Sequence, residues 1–205
     1  MLDAGLASAA SGSPWTVLIE GDAGMGKTAL TSAWIETVRD AQVVTVSTDE
    51  AETDLPFSLL GLLMGPPAQP WSDPFTAGAQ LLQLLGEQSA EAPLVLVIDD
   101  AHLADPASLR AVTFALRRLH RDPVLAVLTA RTGELGRLPD GLMRLVDEHG
   151  ERVTLDGFTE PEVRELAGTL DCGPLSQPSA ARLRGRRLHT RPASRPAADG
   201  RRPRR

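Results

Sequence analysis

The chain has 205 residues, 42% of them apolar and only 3% aromatic, with a formal net charge of −6. That length suits one domain, or one and a fraction, with a core built mainly of Leu, Val and Ala. No apolar run approaches the roughly 20 residues of a membrane span, no basic-then-apolar leader opens the chain, and one cysteine, Cys172, excludes an internal disulfide, so a cytoplasmic protein is expected.

Residues 1–13 read as a lead-in. Trp15-Thr16-Val17-Leu18-Ile19-Glu20 is apolar and rich in strand formers, and predicts a buried parallel strand over 15–20. Gly21-Asp22-Ala23-Gly24-Met25-Gly26-Lys27-Thr28 follows it and fits G-x-x-x-x-G-K-[ST], the phosphate-binding P-loop. Its glycines let the backbone curl so that successive N–H groups face an anion. Lys27 is the only lysine, against twenty arginines. It is kept where a compact ammonium on a flexible stem suits the chemistry. All eight residues are candidates for holding ATP. Lys27 would reach the β- and γ-phosphates, and the Thr28 hydroxyl would ligate Mg²⁺. Leu30, Trp34 and Val38 recur every four residues and predict a helix over 27–39. Its N-terminal dipole would face the same phosphates.

Val43-Val44-Thr45-Val46 reads as the second strand, followed by an acidic stretch from Ser47 to Asp54. Pro56 opens a short apolar helix over 57–64, four prolines in 65–74 mark a loop, and Leu81, Leu82, Leu84 and Leu85 place a helix over 75–88. Leu94-Val95-Leu96-Val97-Ile98 is the third strand. A helix over 106–120 presents Leu109, Val112, Leu116 and Leu119 on one face. Val124 to Thr129 is the fourth strand, 140–148 a short helix, Arg152 to Leu155 the fifth strand, and Glu160 to Leu170 a last helix. This alternation predicts an α/β fold: a P-loop NTPase three-layer sandwich over 14–158 with a five-stranded, mostly parallel sheet.

The third strand ends in Asp99 and Asp100. Ligands of an open α/β sheet bind at the carboxyl ends of its strands, which puts these acids beside the P-loop in the Walker B pattern. Asp99 is the candidate Mg²⁺ residue together with Thr28. Asp100 is the candidate for orienting or deprotonating an attacking water. Asp105 and Pro106 carry the signals of an N-cap and a first helical residue. His102 has no second His or Cys near it in sequence, so it reads as a structural or hydrogen-bonding residue rather than a metal ligand. Arg131 follows Leu128-Thr129-Ala130. If the fourth strand lies between the first and third, Arg131 faces the γ-phosphate and can stabilise charge in transfer. Arg110, Arg117 and Arg121 share a helix face that reads as solvated.

With these residues in hand, the chain resembles the nucleotide-binding domain of the STAND branch of AAA-like P-loop ATPases. It looks most like that of large ATP-binding regulators with a LuxR-type DNA-binding domain. The resemblance is carried by Leu18 to Thr28, by Leu55-Pro56-Phe57, by Val97 to Ser108 and by Leu128 to Arg131. Leu155-Asp156-Gly157-Phe158 with Glu162-Val163 resembles the exit from the ATPase core, so 159–177 would begin a lid region. The resemblance implies ATP binding and slow hydrolysis used as a switch, with ADP as the other ligand and self-association left open. It also implies a Gly-Arg-containing segment upstream and further domains downstream. Two other readings stay open: an inactive truncated fragment, and nucleic-acid binding through the C-terminal segment.

That segment, 178–205, carries ten arginines, four prolines and one acid, Asp199, whereas 1–177 carries 26 acids against 11 bases. It has too few large apolar residues to fold and is expected to be a disordered tail. Any nucleic-acid contact is expected from this tail, weak and non-specific, and none from the acidic core.

Overall fold

The computed structural model describes residues 1–157 and the backbone of Leu188–Pro192. Six strands form one sheet: β1 (Trp15–Gly21), β2 (Gln42–Ser47), β3 (Leu94–Asp99), β4 (Val124–Ala130), β5 (Gly150–Leu155) and β6 (Leu188–Pro192). The helices are α1 (Leu2–Ala10), α2 (Lys27–Ile35), α3 (Ser58–Met64), α4 (Pro74–Gln88), α5 (Pro106–Leu116) and α6 (Asp140–His149). The strand order is β2-β3-β4-β1-β5-β6. The first five strands are parallel, and β6 runs antiparallel to β5.

The period of two along each central strand divides the core. Leu94, Leu96 and Ile98 of β3, with Val124, Ala126 and Leu128 of β4, face the helices α3 to α6. Val95 and Val97, with Leu125 and Val127, face the other way, toward Leu2 and Ala9 of α1 and Trp34 of α2. Alternate side chains of a strand point to opposite faces. A strand apolar at every position is therefore buried on both, as in a parallel sheet with two helical layers. The three-layer sandwich is as expected from the sequence. No helix among the described residues is long and apolar enough to cross a membrane.

Two features depart from the sequence reading. The lead-in contains α1. Its buried face is built from Leu2, Gly5 and Ala9, of which only Leu2 is large and apolar, and no side chain caps it. It is held by tertiary contact: Trp34 Nε1 of α2 donates to Asp3 Oδ1 at 2.7 Å. The second departure is β6, inside the segment expected to be without structure. β5 would otherwise be an edge strand with unpaired main-chain groups. The pairing runs in register from Glu151↔Pro192 to Leu155↔Leu188, a match across the chain that local composition does not announce. The helix expected over 160–170, Cys172 and the rest of 178–205 lie outside the described residues. The helices α2 and α5 end at Ile35 and Leu116, a few residues earlier than the periodicity suggests.

Asp105 joins two helices. It is 1% exposed and caps α5 by accepting from Ser108 N at 2.8 Å. It also accepts from Phe57 N at 2.8 Å, Ser58 Oγ at 3.2 Å and Leu59 N at 3.4 Å, so the same carboxylate serves the N-terminus of α3. Asp105→Ala would leave these buried donors unpaired and lower the unfolding free energy by about 3 kcal/mol. Asp105→Asn, which keeps one acceptor oxygen, should lose about half of that. Urea midpoints of the two variants check the ranking.

Candidate functional site

The P-loop leaves the carboxyl end of β1 and runs straight into α2. Gly24 and Gly26 have φ of +75° and +80°, a region that residues with a Cβ seldom adopt. Gly26 is the N-cap of α2, and no side chain caps that helix. Its first N–H groups therefore face an open groove of about 330 Å³ lined by Ala23, Gly24, Lys27, Thr28, Asp100 and Arg131. Thus Arg131 and Asp100 arrive from the ends of β4 and β3 at the loop that ends β1. The order β3-β4-β1 is what brings them together.

Lys27 is 6% exposed. Its Nζ donates to the Gly21 carbonyl at 2.8 Å and the Asp22 carbonyl at 3.1 Å. Burial pulls its pKa below the ordinary lysine value, with Arg131 adding to the shift and Asp100, Asp99 and Asp22 opposing it. An anion in the groove would restore the lost stabilisation of the ammonium.

A chain of hydrogen bonds ties three strands together beside the loop. Thr28 Oγ1 donates to Asp99 Oδ2 at 2.7 Å, and Thr129 Oγ1 donates to Asp99 Oδ1 at 2.6 Å. The Thr129 hydroxyl in turn accepts from Asp100 N at 2.8 Å. Thr48, just past β2, donates its hydroxyl to the Asp100 carbonyl at 2.7 Å. Asp99 is 6% exposed and Thr129 fully buried. Thr28 and Asp99 offer hard oxygen donors side by side, the chemistry of a Mg²⁺ site. Among the described residues no three acidic, His or Cys side chains gather. A cation there would complete its shell with water and phosphate oxygens, as Mg²⁺ commonly does.

Thr48 and Thr129 are functional candidates that sequence reasoning missed. The available signal for Thr129 was a lone hydroxyl in an otherwise apolar buried strand. Glu20 and Arg152 were missed too. Glu20, 5% exposed, takes both Nε and an Nη of Arg152 at 2.9 Å and the Thr154 hydroxyl at 2.9 Å. This bidentate pair bolts the root of the P-loop to β5. Arg110, Arg117 and Arg121 are solvent-exposed, as expected.

The family described as AAA ATPase domain matches residues 1–128 of the chain. No curated protein matches it. Among solved structures, Drosophila ORC bound to DNA aligns with a TM-score of 0.57 at 16% identity, covering 82% of this chain and 44% of that one. The Aeropyrum pernix ORC2 protein, in ADPNP-ADP complexes, gives 0.55 at 20% identity over 90% of this chain and 50% of its own. Cdc6p from Pyrobaculum aerophilum gives 0.53 at 17% identity, with 91% and 48% covered. At these identities the likeness is one of fold, and the chain spans about half the length of the structures it matches.

Thr129→Val keeps the shape of the side chain but strips Asp100 N of its acceptor and Asp99 of one donor. The expected loss of stability is about 2 kcal/mol, measured by urea unfolding. An unchanged midpoint would mean that water replaces the hydroxyl.

Proposed function

The chain belongs to the AAA ATPase domain family, and on that premise we propose that it is an ATP-binding switch domain with slow Mg²⁺-dependent hydrolysis. The finer assignment is to a STAND-type signalling or transcriptional regulator, similar to those with LuxR-type DNA-binding domains. The observation that carries the nucleotide reading is the Thr28–Asp99–Thr129–Asp100 hydrogen-bond chain, lying beside Lys27 and Arg131 in one groove. The run from Val97 to Ser108 and the exit at Leu155-Asp156-Gly157 support the finer assignment by resemblance.

In this reading Gly21 to Thr28 wrap the phosphates with backbone N–H groups. Lys27 exchanges the Gly21 and Asp22 carbonyls for phosphate oxygens. Thr28 and Asp99 hold Mg²⁺, which when bound neutralises charge on the β- and γ-phosphates. Asp100 orients a water and accepts its proton. Arg131 meets the terminal phosphate, so ATP and ADP differ in what they offer it. The bound ADPNP and ADP of the Aeropyrum protein support this use of the fold. The core, acidic outside the tail, is assigned no nucleic-acid contact; that role, if taken, falls to the basic segment 178–205.

Saturating Mg-ATP should stabilise the chain against thermal unfolding by about 2.7 kcal/mol at 100 times the dissociation constant. Lys27→Ala should abolish the shift. Asp99→Asn should weaken its Mg²⁺ dependence, while Asp100→Asn should keep binding and slow phosphate release. A wild-type chain unmoved by millimolar Mg-ATP would sink the reading.

Arg131→Ala should weaken ATP binding by about tenfold or more, the scale of one charge-assisted hydrogen bond, and leave ADP binding nearly unchanged. Isothermal titration with both nucleotides decides it. Equal losses would place Arg131 away from the terminal phosphate.

A further inference from the structure

Asp100 occupies the left-handed region, at φ 53° and ψ 41°, which Asp tolerates better than most residues. Its backbone is pinned on both sides. The N–H donates to Thr129 Oγ1, and the carbonyl accepts from Thr48 Oγ1 at 2.7 Å and Leu103 N at 2.8 Å. Only the side chain is left to turn, and it is 32% exposed. The short 3₁₀ helix Ala101–Leu103 then carries His102 back beneath it. The His102 side chain has no solvent exposure, and neither ring nitrogen has a hydrogen-bond partner. Nδ1 stands 3.9 Å from Asp100 Oδ1. That is too long for a hydrogen bond, and a water joining the two at ordinary distances would hold them about 4.5 Å apart. A modest turn of Asp100 gives the orphaned nitrogen its partner, and buried polar atoms are rarely left without one.

We propose that Asp100 and His102 form a dyad: the imidazole donates from Nδ1 to one Asp100 oxygen and aims the other into the groove. His102 is a positioning residue, and its role rests on the reading of Asp100 as the group that activates water. Burial holds His102 below the ordinary histidine pKa, with Arg131 and Lys27 acting the same way and Asp100 and Glu134 opposing. An uncharged imidazole can still donate from Nδ1, in the tautomer that carries its proton there. That matters because Asp100 shares the groove with Lys27 and Arg131. A carboxylate free to turn would close on one of these cations and no longer present an oxygen to a water in the groove. The imidazole holds it back.

The test uses the full chain and two substitutions. His102→Leu keeps the volume and removes the donor. It should remain folded, bind Mg-ATP within about twofold of wild type, and release phosphate at least about tenfold more slowly, a part of what a positioned base supplies. His102→Asn can place an amide N–H near the Nδ1 position and should recover most of that loss. Full turnover in His102→Leu, or equal losses in both variants, would overturn the dyad. Imidazole ¹⁵N NMR reads the same contact without turnover. The signal missing in His102→Asn should be that of an Nδ1–H tautomer in wild type and should change in Asp100→Ala. An Nε2–H tautomer indifferent to Asp100→Ala overturns the dyad even where hydrolysis is intact. A chain that releases no phosphate but keeps the Asp100-dependent tautomer counts against the ATPase reading alone.

Discussion

Asp99 ends a strand, Leu94–Asp99, that is buried throughout, and its carboxylate is buried with it. A buried carboxylate is tolerated only when its oxygens are hydrogen-bonded. Both are: one by Thr28 from the P-loop helix, one by Thr129 from β4. The requirement of one acid therefore couples three chain segments far apart in sequence. In the observed sheet order, with β4 between β3 and β1, Thr129 comes from the neighbouring strand and Thr28 from the loop that ends the strand beyond it. The loop, the metal candidate and Asp100 take their places from this one constraint.

The same economy recurs one turn later. Asp105 serves the N-termini of two helices with a single carboxylate, so the segment from Asp99 to Asp105 is tied to α2, β2, β4, α3 and α5 within seven residues. Asp100 can hold its left-handed backbone there because Thr129 and Thr48 fix both of its peptide groups. Backbone strain of that kind persists where the surroundings over-determine it.

What could be read from the sequence was what local spacing carries. The P-loop is eight consecutive residues, Asp105-Pro106 is a cap signal read within one turn, and β3 and β4 are unbroken apolar runs. What escaped was decided by pairing across the chain. Glu20 and Arg152 meet over 132 positions, and only the register that sets Leu18 beside Arg152 and Glu20 beside Thr154 brings them together. Thr129 is one hydroxyl in an apolar strand until β3 lies next to it. The helix α1 has too few large apolar residues to announce itself, and β6 is defined by its register against β5.

The attachments also bear on how a nucleotide-dependent change would leave the site. The segment from Arg131 to Arg152 contains a 3₁₀ turn, Thr132–Arg137, and α6. At its start Arg131 lines the groove, and at its end Arg152 grips Glu20 under the P-loop. α6 is strongly amphipathic and buries Leu142, Leu145 and Val146 against the core. In the proposed switch, contacts common to ATP and ADP cannot bias the equilibrium, since a ligand shifts it only by its differential affinity. The loop, Lys27 and the Glu20–Arg152 pair are therefore the fixed frame. Arg131 is the end free to respond, and the 3₁₀ turn after it, with both of its glycines, Gly133 and Gly136, exposed, is the short connection that would absorb the response.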